Sequence, residues 1–235
     1  MNSPGEGDGG ARIEPPYDSP GYASSALRRP TWPLVIMPER LAERHGPLFD
    51  AERIQGEVTD LTSQHRGGEP IGERIVVSGR LLDYSGRPLA GQLIEIWQAN
   101  AAGRYAHAAD RHPAPLDPYF SGAGRTITRA DGSYSFLTIK PGPYPWRNHP
   151  NAWRPAHIHF SVFGPSFSER LITQMYFPGD PLLDYDPIYQ SIRSEKARGR
   201  LISAFDWETT RPEWAIGYRF DIVIGGHLAT PMEDL

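Results

Sequence analysis

The chain predicts an all-β fold: a β-sandwich with long loops, an extended N-terminal arm and one short C-terminal helix. Three observations carry this expectation. The 235 residues include 24 Gly and 24 Pro, a composition rich in turns. Apolar, β-branched runs are short and recur between turn signals, as sandwich strands do. Only Ser194 to Phe205 reads as a convincing helix.

Taken in order, residues 1–11 are polar and Gly-rich, have little to bury and read as disordered. The Pro-punctuated stretch from Pro15 to Pro38 carries Tyr17, Tyr22 and Trp32 and reads as an arm that docks elsewhere. Glu39 to Glu43 reads as a helical turn. Arm and docking segment are placed at residues 1–72 and the sandwich at 73–235. Arg74 to Leu82 is the first strand and Tyr84 to Pro88 a turn. In the strand Gln92 to Gln98, Leu93, Glu95 and Trp97 face opposite to Ile94 and Ile96. Thr126 to Thr128 and Ser133 to Ile139 read as a hairpin closed at Asp131-Gly132. Ala156 to Phe163, Leu171 to Phe177 and Tyr218 to Ile224 supply further strands.

Composition removes several function classes. A net charge of −4 and no stripe of Lys and Arg argue against nucleic-acid binding. The apolar runs are far shorter than the roughly 20 residues of a membrane span. No basic start leads into an apolar stretch, so the expected location is cytoplasmic. The absence of Cys excludes disulfides, thiolate metal sites, iron–sulfur clusters and Cys nucleophiles. Any metal must be held by His, Tyr, Asp or Glu.

The chemistry concentrates in Trp153 to Phe160, preceded by Pro143-Tyr144-Pro145-Trp146. On an extended run, His157 and His159 share one face. They are either a converging pair able to grip a metal or two polar residues on a solvated face. With 8 His and 11 Tyr in the chain, spacing alone does not choose the ligands. His107 and His112 read as solvated loop residues, and Tyr134 and Tyr176 as packing. His45, His65 and His227 have no supporting context.

Seven ordered runs add to this. They are Ile94 to Asn100, Gly103-Arg104-Tyr105, Pro115 to Pro118, Gly122 to Thr126, Ile139 to Trp146, Trp153 to Phe160 and Gln174 to Asp180. The pattern continues through Tyr185-Asp186-Pro187-Ile188 to Tyr218–Val223. Together they resemble the intradiol ring-cleaving dioxygenases and, within that family, the iron-bearing β subunits that act on protocatechuate.

The resemblance implies one non-haem Fe(III) per chain, held by Tyr105, Tyr144, His157 and His159, and no organic cofactor. It implies a catechol that displaces Tyr144, which then acts as base, with O2 opening the ring to a carboxymuconate. Arg154 would stabilise negative charge on the substrate, Gln174 would hydrogen-bond in the pocket, and Trp146 and Ile188 would wall it. Trp97 is either wall or core. Tyr22 is either a contact for the protocatechuate carboxylate or arm packing. The implied partner is a homologous α subunit that completes the active site in an αβ hetero-oligomer.

Two rival readings stand beside this one. A homo-oligomeric catechol or hydroxyquinol enzyme would carry a helical N-terminal dimerisation domain, for which this arm is too rich in Pro and Gly. A transthyretin-like carrier would bind aromatics without chemistry and needs no such set of donors.

Overall fold

The computed structural model describes residues 56–146, 152–165 and 170–232. The expectations for the arm before residue 56, Tyr22 and His45 included, and for His149 lie outside the described residues. The elements are strands β1 (Arg74–Asp83), β2 (Leu93–Gln98), β3 (Ala123–Ile127), β4 (Ser133–Ile139), β5 (Tyr144–Trp146), β6 (Ala152–Arg154), β7 (His157–Phe163) and β8 (Arg170–Tyr176). A 3₁₀ turn (Pro181–Tyr185) and helices α1 (Pro187–Ser191) and α2 (Glu195–Gly199) follow, then β9 (Ala204–Phe205), β10 (Ile216–Arg219) and β11 (Ile222–Ile224). Among the described residues no helix is long and apolar enough to cross a membrane.

Two sheets form the expected sandwich. One is built around β1, with β4 antiparallel along one side. Along the other side β10 and then β11 run parallel to it, and β9 pairs beyond β10. The second sheet runs β3-β2-β7-β8, all antiparallel. Alternation sends Ile75, Val77 and Leu81 of β1, Tyr134 and Phe136 of β4, Ile94 and Ile96 of β2 and Ile158, Phe160 and Val162 of β7 into one core. Burial of each large apolar side chain contributes about 1.5–3 kcal/mol. Ahead of β1, Val58 bridges to Arg125 and Leu61 is fully buried in the same core.

Gly79 shows how tightly the first sheet is knit. Where β10 gives way to β11, a Cβ on Gly79 would stand 1.9 Å from the Phe220 carbonyl oxygen. The backbone N–H of Phe220 donates to Ser78 (2.8 Å) and that of Arg80 to the Asp221 carboxylate (2.9 Å). This junction divides the expected strand Tyr218 to Ile224 into β10 and β11.

Two further expectations are corrected. The Asp131-Gly132 turn forms, with Gly132 N–H donating to Arg129 and Arg129 N–H to Ser133 (both 2.9 Å). It closes no hairpin, however, because β3 pairs with β2 and β4 with β1, so the turn is a corner between the sheets. Instead of one helix from Ser194 to Phe205, that stretch holds only the five-residue α2, and α1 lies before it. α2 starts where the Ser194 hydroxyl accepts from Ala197 N–H (3.2 Å). It stops at Gly199 because residues 201–203 are drawn into pairing with the end of β8: Tyr176 N–H donates to Leu201 (2.7 Å) and Ser203 N–H to Tyr176 (2.9 Å).

Candidate metal centre

The strand that feeds Ile158, Phe160 and Val162 to the core presents His157 and His159 on its other face. Neighbouring strands furnish that face. Trp97 of β2 lies directly across from His159, and the rings stack at 4.8 Å with 5° between planes. On the other side, Gln174 of β8 is opposite His159 and Tyr176 is opposite His157. Loops cover the face, leaving His157 2% and His159 7% exposed. The solvated-face reading of this pair is thereby excluded.

Tyr105 and Tyr144 arrive on two loops that the sequence folds against each other. Asn100, at the end of β2, accepts from the backbone N–H groups of Ala102 and Arg104 through its side chain (2.9 Å each). Tyr105 N–H then donates to the Asp110 carboxylate (2.8 Å). Tyr144 stands on the ribbon β5–β6, opposite Arg154. The loops meet at Gly103, which has a φ of +76° and sits where a Cβ would be 2.2 Å from the Pro143 carbonyl oxygen.

Four donor atoms converge as a result. Tyr105 Oη lies 3.1 Å from His159 Nε2, Tyr144 Oη 3.4 Å from His157 Nε2, and the two Nε2 atoms are 3.2 Å apart. Bonds near ~2.1 Å to a central ion put neighbouring donors about 3 Å apart, so the spacing fits a shared cation. The donor chemistry fits as well. His157 Nδ1–H donates to the Pro155 carbonyl (2.7 Å), which leaves Nε2 as the atom with a lone pair. Burial first, then the charge of Arg154 and the proximity of His159, hold the His157 pKa well below the ordinary histidine range, so the imidazole is neutral. Two phenols beside it offer the hard, ionisable oxygen donors that a ferric ion favours. The residues present therefore fit Fe(III).

Arg154 is 2% exposed, and its Nε forms an ion pair with Asp186 Oδ1 at 3.0 Å. Its Nη2 donates to Gln174 Oε1 and to the Tyr176 hydroxyl (3.1 Å), and the guanidinium carbon lies 5.7 Å from the centre of the Trp146 ring. Ile188 is half-buried at the start of α1, where its N–H donates to Asp186 (3.1 Å). His107 is exposed, in keeping with a loop position. A cavity of about 540 Å³ opens beside the tetrad, lined by Trp97, Tyr105, Ser121, Tyr144 and His159 among others.

Sequence reasoning missed Asp186 and gave Tyr176 only half its role. Tyr176 packs as expected, against Leu183, Tyr189 and Ile192, but its hydroxyl also meets Gln174 Oε1 (2.7 Å) and Asp186 Oδ2 (3.0 Å). The signal for Asp186 was present as Asp-Pro, a helix cap followed by Pro at the first helical position.

Comparison with known proteins places this geometry in context. Residues 44–226 match the sequence family described as Dioxygenase. Residues 12–40 match the family described as protocatechuate 3,4-dioxygenase beta subunit N terminal. The chain is 59% identical over 220 residues to the protocatechuate 3,4-dioxygenase beta chain of Burkholderia cepacia, covering 93% of both chains. It is 28% identical over 210 residues to the alpha chain of that enzyme from Pseudomonas putida, covering 86% of this chain and 99% of that one. Among solved structures, 3-chlorocatechol 1,2-dioxygenase from Rhodococcus opacus 1CP superposes with a TM-score of 0.51 at 26% identity, over 66% of this chain and 61% of that one.

Proposed function

The chain belongs to the intradiol ring-cleaving dioxygenases, and on that premise we propose that it is the iron-bearing β subunit of a protocatechuate 3,4-dioxygenase. The reaction opens protocatechuate between its two hydroxyl-bearing carbons with O2, giving 3-carboxy-cis,cis-muconate. The observation that carries this reading is the convergence of two phenol oxygens and two imidazole nitrogens within 3.1–3.4 Å of their neighbours.

Tyr105, Tyr144, His157 and His159 would hold the metal. Fe(III), when bound, supplies Lewis acidity and an electron sink for the aromatic ring. The chain's own residues do the rest. Tyr144 is half-buried on a three-residue strand, and its oxygen, a phenolate when the metal is bound, would take a proton from a catechol hydroxyl as substrate enters. Arg154 stands across the ribbon from Tyr144, and its buried charge stabilises negative charge that grows on the substrate ring. Gln174 supplies a buried amide donor; Trp146, beside the Arg154 guanidinium, and Ile188, beside Asp186, would meet the substrate from that side, although neither lines the cavity of about 540 Å³. Tyr22, outside the described residues, is the proposed contact for the substrate carboxylate. A homologous α subunit completes the site; similarity to both an alpha and a beta chain supports a pair of related subunits. The match of residues 12–40 favours the β-subunit reading over a homo-oligomeric catechol enzyme.

The visible spectrum tests this. The purified αβ protein is expected to be red from tyrosinate-to-iron charge transfer. Anaerobic protocatechuate should shift the band and oxygen should restore it. A protein that stays colourless after iron and the α subunit are supplied would overturn the metal assignment.

A further inference from the structure

We propose that Asp186 is a positioning residue for the reaction, a buried carboxylate that sets the direction of Arg154 and, through it, of the Gln174 amide. The inference rests on the function proposed above and assigns a part to a residue with no place in the metal tetrad.

Asp186 is fully buried, and so is the guanidinium it faces. Removing two charges from water is costly, and that cost is offset only where both are paired and their remaining bonds are satisfied. Each carboxylate oxygen has assigned work. Oδ1 takes the Arg154 ion pair (3.0 Å) and the Ile188 N–H (3.1 Å), so the group also caps α1. Oδ2 faces the Tyr176 hydroxyl (3.0 Å). That hydroxyl receives a bond from Arg154 Nη2 and lies 2.7 Å from Gln174 Oε1, which also accepts from Arg154. One hydroxyl proton therefore has two acceptors, whereas the Arg154 guanidinium is a charged donor to Gln174 Oε1. Gln174 Oε1 is consequently held mainly by Arg154.

The outcome lies at the other end of the Gln174 amide. With Oε1 engaged, Nε2 is a buried donor without a partner among the described residues. Gln174 stands across from His159 on the metal-bearing face. An unpaired buried donor costs free energy, and such groups are kept where a ligand completes them. The lock thus gives a charged group and an amide donor one orientation each before substrate arrives, which is how developing charge is stabilised without rearrangement.

Asp186→Asn tests this in the iron-loaded αβ complex, since Asn keeps the shape and an oxygen for the helix cap while removing the charge and turning the other oxygen into a donor. Iron content, the resting charge-transfer band and the anaerobic protocatechuate titration are expected to match wild type. kcat is expected to fall roughly 10- to 100-fold with little change in KM. The double variant Asp186→Asn/Arg154→Gln is expected to be no slower than Arg154→Gln alone, because Asp186 acts through Arg154. Tyr176→Phe, which keeps the ring, should give a smaller loss of kcat in the same direction, and it carries the test if the charge change prevents folding. Losses that simply add to those of Arg154→Gln would overturn the inference. So would a fall in activity that follows iron loss alone. A wild-type complex that binds iron yet shows no spectral shift with protocatechuate would instead overturn the function beneath it.

Discussion

At the scale of single residues, the site depends on a position without a side chain. Gly103 has a φ of +76°, and the carbonyl of Pro143 occupies the place where its Cβ would be. Gly103→Ala is expected to cost at least about 1–3 kcal/mol from backbone conformation alone. It should also separate the loops that carry Tyr105 and Tyr144. Thermal melting together with iron analysis checks this: iron occupancy should fall further than stability alone explains. Tyr144→Phe is expected to behave differently, because three donors remain. Iron should stay while substrate binding slows, as stopped-flow mixing with protocatechuate would show; stoichiometric loss of iron would count against a displaceable tyrosine. The His pair was legible from alternation alone, since a strand that buries Ile158 and Phe160 must turn His157 and His159 the other way. Trp97 was ambiguous because a pattern does not name the neighbour across the sheet, and here that neighbour is His159. Asp186 was legible as a helix cap but not as a partner of Arg154 and Tyr176, which are distant along the chain.

At the scale of elements, Tyr134 ties β4 to the junction of β10 and β11 by donating its hydroxyl to the Phe220 carbonyl. Burial, reinforced by the charge of Asp221, raises its pKa well above the ordinary tyrosine value of 10.0. The folded chain therefore keeps a proton that the unfolded chain releases. The associated stability is whole below about pH 10 and is lost as pH rises past it. Denaturant melts between about pH 9 and pH 11 should show this decline in wild type and a shallower one in Tyr134→Phe. That variant should also be less stable at neutral pH by about 1 kcal/mol, for the lost hydrogen bond. Strand existence was legible here but strand partners were not. Both strands flanking Asp131-Gly132 alternate correctly, yet their hydrogen-bonding edges belong to different sheets. The helix after Ser194 was overextended for a related reason: residues 201–203 satisfy their backbone bonds with Tyr176 rather than with a further turn.

At the scale of the whole molecule, core and site share one strand. Phe160 is fully buried between the rings of Tyr134, Phe136 and Phe220, while His159 and Ser161 beside it face the other way. Phe160→Ala is expected to cost about 3–5 kcal/mol, measured by chemical denaturation, with iron affinity falling as β7 loses its seat. The all-β architecture was legible from turn-rich composition and short strands, whereas its connectivity depends on contacts between residues far apart in sequence. That connectivity has a consequence for how the protein is made. The sheet bearing the two histidines draws its strands from residues 93–176, so a growing chain holds all of them well before synthesis ends. The sheet around β1 must wait for residues 216–224, although β1 itself emerges early. A ribosome pausing late would therefore display β1 with one edge unpaired, the stage at which the nascent chain has most need of a chaperone.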